Sequence, residues 1–133
     1  MEHVEKILSN GQPLVYIIRG ELEPRETTFF TPAEFKQQVG YVVYAAGGEI
    51  KRHFHHPLER RLFGTSEVVI VRRGRCTLDV YNHELHLVAS RELVPGDIAV
   101  IVSGGHGFRM QEETVLLEVK QGPYTGIDEK ERF

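Results

Sequence analysis

Short apolar runs, alternating or β-branched, dominate this chain and are cut off every few residues by Gly, Pro or Asn. No other feature constrains its fold as tightly. Successive strand residues face opposite ways, so such runs read as strands with one or both faces buried, and the punctuating residues supply the turns. Strands are predicted at 14–19, 27–30, 41–46, 50–55, 67–73, 75–81, 84–89, 98–102, 108–111 and 115–120. One helix start is written as Thr31-Pro32-Ala33-Glu34. Thr serves as cap, Pro as first helical residue and Glu as the reciprocal cap, so a short helix is expected to about Gln38, before Gly40. Strands alternating with long helices are absent, which disfavours a doubly wound parallel sheet and leaves an all-β sandwich or barrel.

A chain of 133 residues supports one good core, so a single domain is expected over 1–133. It comprises N-terminal strands and the short helix (1–39), a core barrel (40–121) and a polar tail (122–133). Nineteen acidic residues against sixteen basic ones leave no basic surplus, which argues against nucleic acid as a partner. Cys76 is the single cysteine, so no internal disulfide forms and a reducing compartment fits. It is expected as a small buried hydrophobe. No apolar run is long enough for a membrane span and the start MEHVEKILSNGQ has no apolar signal core, so no membrane partner and a cytoplasmic location are expected.

Seven histidines stand in the chain, three of them at 53, 55 and 56. On a strand, His53 and His55 share a face and can chelate one cation, while His56 has the opposite parity. Glu67 opens the run EVVIVRR and offers an oxygen ligand at a strand mouth. His106 follows Ser103-Gly104-Gly105, a corner whose glycines let the backbone turn an imidazole inward. Three imidazoles and a carboxylate suit a first-row divalent metal with positions left for water or substrate.

These residues resemble the first motif of the cupin family. Gly47, five residues, His53-Phe54-His55, then Glu67, six residues and Gly74 match it. The gap departs from the pattern, since eleven residues separate His55 from Glu67 where the family has three or four. The segment HPLERRLFGTS therefore reads as an inserted loop. Glu59 stands at the usual short distance but has no following glycine at the required spacing, so Glu67 is preferred; Glu59 or His56 replacing a ligand stays open. The second motif is degenerate. Gly96-Asp97 opens it and Gly104 holds its glycine position, but Val102 stands where Pro is usual and Met110 near the Asn position, so only His106 is carried over. The resemblance covers about 40–120. It implies a double-stranded β-helix, the jelly-roll barrel of cupins, holding one divalent metal (Fe, Mn, Ni or Zn) through His53, His55, Glu67 and His106. It also implies a homodimer.

Seven of the sixteen basic residues fall within 51–75. Arg72, Arg73 and Arg75 read as solvated edge charges that oppose strand aggregation. Arg60 and Arg61 lie in the inserted loop, where their guanidinium forks suit a carboxylate or phosphate, and are the candidate substrate-binding residues. Glu118 and Lys120 share one parity in the last strand and form either a solvent-facing ion pair or an acid and base within a cavity. The expected function is a metal-binding cupin acting on a small polar or anionic molecule by dioxygenase-type or isomerase-type chemistry. The alternative is a non-catalytic metal or small-ligand binding module. Whether the chain is an enzyme, and which residues are catalytic, is left open by the sequence.

Overall fold

Asn10-Gly11 turns the first hairpin. Both residues adopt positive φ, 51° and 76°, the conformation of a two-residue turn that matches strand twist. It joins β1 (Val4–Ser9) to β2 (Gln12–Ile18). The computed structural model describes residues 1–124 and 126–133. Two further short strands, β3 (Thr28–Phe29) and β4 (Gly40–Tyr41), pair with each other. Then come β5 (Glu67–Arg73), β6 (Cys76–Tyr81), β7 (Leu87–Leu93), β8 (Ile98–Ile101), β9 (Gly105–Met110) and β10 (Val115–Lys120). The fold is all-β and its pairings are antiparallel.

The chain divides into two compact units, Met1–Leu22 with Thr65–Phe133, and Glu23–Gly64. In the first, a five-stranded sheet runs β1-β2-β8-β5-β10 and a three-stranded sheet runs β7-β6-β9. Among the described residues these sheets do not close into a barrel. The core lies between them. Val15, Ile17, Val69, Val71, Ala99 and Ile101 from the larger sheet meet Cys76, Leu78, Val80 and Leu93 from the smaller. Each such side chain contributes about 1.5–3 kcal/mol by leaving water if it is a large aliphatic one. Cys76 is fully buried, as its surroundings in the sequence suggest. β2 is buried at Leu14, Val15, Tyr16, Ile17 and Ile18, which explains an apolar run without alternation.

Two polar fastenings hold this unit. At the β1 and β7 edges, the Arg91 guanidinium donates to both Glu5 carboxylate oxygens, Nη2–Oε2 being 2.8 Å. At the end of β2, buried Asp97 accepts hydrogen bonds from the Gly20 N–H (2.8 Å), Arg19 Nη1 (3.0 Å) and the Val94 N–H (2.9 Å). Asp97 thus ties the Arg19-Gly20 backbone to the Pro95-Gly96 turn ahead of β8.

In the second unit the expected helix after Thr31 does not form. Turns and bends run there instead. The Gln38 amide donates to the carbonyls of Pro32 (2.9 Å) and Phe35 (2.9 Å), and the Phe35 N–H bonds Pro32 O at 3.0 Å. A side chain takes the carbonyls that a helix would have used, and so short a helix has little cooperative gain to set against its nucleation cost. The strand expected at 41–46 shortens to Gly40–Tyr41, and that expected at 50–55 is absent from the described residues.

Candidate functional site

Strand parity places the candidate residues of the first unit. Glu67 pairs with Ile101 on one side and Lys120 on the other, sharing a face with Val69, Val71 and Ile101, and therefore points between the sheets. His106 pairs with Val80 in β6 and faces the same interior from the smaller sheet. The glycine corner does what the sequence suggested. Gly104 has φ +75°, and a Cβ there would stand 2.4 Å from the Tyr81 carbonyl oxygen, so only glycine turns here and starts β9 with His106 inward. His106 Nε2 and Glu67 Oε2 end 3.8 Å apart, beyond direct hydrogen-bond reach.

Glu118 completes this cluster. It pairs with Val69, so it and Lys120 lie on the inward face of β10. Glu118 nevertheless stays exposed, and Lys120 makes its ion pair with Glu129, so the two share the face of Glu67 without being enclosed in a cavity. Burial, and then a side-chain hydrogen bond from Glu118, push the Glu67 carboxyl up to about 7, while Lys120 and Lys130 pull it the other way. Burial also pushes the His106 imidazole below its ordinary value, against the Glu118 charge that raises it. The result is a carboxyl poised near neutrality beside an uncharged imidazole, the perturbation that clusters at functional sites. The chain's end lies on the same unit: the Phe133 ring packs edge-on to Tyr81 at 5.0 Å, and Lys120 Nζ reaches Glu129 Oε1 at 3.4 Å.

His53 and His55 lie in the second unit, exposed and outside any strand. Their rings nevertheless stand together, centroids 5.2 Å apart, with Lys51 O 2.8 Å from His53 Nδ1. Phe54 and His56 form the complementary ring pair at 5.1 Å. The i, i+2 grouping that the sequence suggested is therefore present, although the strand that was to carry it is not. Glu59 is exposed in the same irregular stretch. Arg60 and Arg61 line a cleft of the second unit, with Lys36.

The structure thus gathers Glu67 with His106, and His53 with His55. Among the described residues no three His, Cys, Asp or Glu side chains gather closely enough to hold a metal ion. The donor chemistry of the first pair does fit one: two bonds of about 2.0–2.2 Å span a 3.8 Å separation of nitrogen and oxygen at an open angle. Sequence reasoning missed Glu118 as a partner of Glu67; its parity with Lys120 was the available signal. Comparison with protein-family models, with curated proteins and with solved structures finds no match. Among the described residues no helix is long and apolar enough to cross a membrane.

Proposed function

We propose that this chain is a metal-binding cupin that acts on a small polar or anionic molecule, with His53, His55, Glu67 and His106 as ligands of one Fe, Mn, Ni or Zn ion. The observation that supports it most is the convergence of Glu67 and His106 from different sheets to 3.8 Å, two residues that the cupin-like motifs had already singled out. Within the second unit, the His53 and His55 rings stand paired, as two ligands of one cation would. A metal bound there would supply a Lewis acid for a substrate oxygen or a site for O₂ or water. The chain's own residues supply the rest. Glu67 would coordinate as the ionised carboxylate, His106 offers an unprotonated nitrogen, and Glu118 hydrogen-bonds Glu67. The jelly-roll barrel, the homodimer and the cytoplasmic setting belong to the same proposal.

The test is elemental analysis of the purified protein, followed by calorimetric titration of the chelator-treated protein with Fe²⁺, Mn²⁺, Ni²⁺ and Zn²⁺. One metal per chain is expected, with binding lost in both His53→Ala/His55→Ala and His106→Ala. Binding that persists unchanged in His106→Ala refutes the shared site. A second reading, a non-catalytic binding module, is favoured by the Glu67–Glu118 pair beside His106, which offers hydrogen bonds to a polar ligand without any reaction. Turnover on panels of sugars, keto acids and oxygenase substrates separates the two.

A further inference from the structure

The second unit carries a cleft of about 630 Å³ that the candidate metal residues do not use. Its size lies within the roughly 300–1,000 Å³ of small-molecule sites. Two segments build it, the turn region after Thr31 and the loop ahead of Gly64. Lys36 joins them, its ammonium donating to the Phe63 carbonyl at 2.5 Å, while Gln38 holds the turn region in shape through the carbonyls of Pro32 and Phe35. Lys36, Arg60 and Arg61 line the cleft against a single carboxylate, Glu34. Phe35 and Leu62 give it an apolar wall.

The lining has a chemical logic. Three cations to one acid make the cleft electropositive within a chain of net charge −3. Both arginines are exposed, and Arg60 and Arg61 each present a planar fork that fits two oxygens of a carboxylate or phosphate. An anionic head bound to the forks would place an attached apolar body against Phe35 and Leu62. Lys36 is already committed to Phe63, so it contributes fixed positive charge while the arginines make the direct contacts.

We propose that this cleft is the binding site for a small organic anion, a carboxylate or phosphate head on an apolar or aromatic body, gripped by Arg60 and Arg61. This deepens the reading above, because it says where the anionic molecule is held, but it needs no metal.

The test is calorimetric titration of the full chain with phenyl phosphate, benzoate and inorganic phosphate. Phenyl phosphate or benzoate is expected to bind, the tighter of the two identifying the head group, and inorganic phosphate to bind more weakly than phenyl phosphate. Arg60→Ala/Arg61→Ala should weaken binding at least tenfold, Arg60→Lys/Arg61→Lys by an intermediate factor, and Arg72→Ala not at all. Raising NaCl from about 50 to 500 mM should weaken the interaction, since exposed charges are screened. Equal affinity in wild type and Arg60→Ala/Arg61→Ala overturns the proposal, as does no binding of either aromatic anion. An equal loss in Arg72→Ala also overturns it, because it reduces the effect to general charge. Metal content measured on the same proteins keeps the two readings apart. Arg60→Ala/Arg61→Ala should retain metal, and His53→Ala/His55→Ala should retain phenyl phosphate.

Discussion

Replacing Glu67 by Gln should stabilise the metal-free protein at alkaline pH and leave it nearly unchanged at acid pH. A carboxyl that titrates at about 7 in the fold against 4.5 ordinarily is harder to ionise folded than unfolded. Between those values the unfolded chain has released the proton and the native one has not, so stability falls as pH rises through that window and stays low above it. At about 1.4 kcal/mol for each tenfold in proton affinity, the full difference sets a ceiling of about 3–4 kcal/mol. Glu67 is only partly buried and shares its proton with Glu118 near Lys120, so about 1–2 kcal/mol is the expected cost. Gln keeps the shape and a hydrogen bond to Glu118 but never ionises. Urea unfolding of chelator-treated wild type and Glu67→Gln at pH 5 and pH 8 measures it. The variant should exceed wild type by under about half a kcal/mol at pH 5, near the start of the window, and by about 1–2 kcal/mol at pH 8. A variant less stable than wild type at pH 8, or a difference independent of pH, refutes the reasoning.

Asp79 should show the opposite sign. Hydrogen bonds from Arg109 and Ser90 hold its carboxyl down at about 2, so the stabilisation is present above the ordinary aspartate range and is lost as pH falls through about 2. Between pH 4 and 2 wild type should lose more stability than Arg109→Ala, measured by thermal unfolding; parallel losses would contradict this. Asp97→Ala leaves the Gly20 and Val94 N–H groups without their acceptor, while Arg19 keeps its 2.7 Å bond to the Glu92 carbonyl. The cost should be about 2–4 kcal/mol in urea unfolding, and under 1 kcal/mol would mean that these donors find water.

Strand parity made the Glu67–His106 pair legible. The run EVVIVRR is β5 as read, with Glu67 at its mouth, and VLLEVK is β10 as read. β5 lies between β8 and β10 and is buried on both faces, which explains its continuous apolar run, whereas β10 is an edge strand whose Leu117 and Val119 face outward. β1 went unread because VEKILS mixes charges into its alternation; the signal was Asn10-Gly11, the residue pair that type I′ hairpins favour. The stretch from Val42 to Ser66 misled for a different reason. Its alternation around Phe54 is real, but a strand needs a ladder partner, and the described residues offer none there. The capping signal at Thr31 was also real, yet Thr31 Oγ1 accepts from the Val39 N–H at 3.1 Å, closing a wider loop than a helical turn. Local propensity named these residues correctly; tertiary partners decided what they cap and pair with.

Glu118 faces Glu67 only because the β5–β10 pairing shifts by one residue between Val115 and Leu116. A slip of one residue in a strand moves every side chain to the other face, so without that irregularity Leu117 and Val119 would turn inward and Glu118 outward. Gly74 stands where this register is set. Its φ is +92°, and a Cβ on it would meet the Glu113 carbonyl oxygen at 2.2 Å and the Thr114 Cα at 2.7 Å, both backbone atoms. Gly74→Ala must push the start of β10 away, at a cost of about 1–3 kcal/mol for the left-handed backbone alone. If the shift then relaxes, Glu118 leaves Glu67, and the Glu67 carboxyl titrates lower than in wild type while still above an ordinary glutamate, because burial is the larger cause of its elevation. Carbon-detected NMR titration of the glutamate carboxyls reads this directly. A destabilised Gly74→Ala protein whose Glu67 titration is unmoved would show that the hairpin end does not set the register, and that Glu118 is positioned by β5 and the core alone.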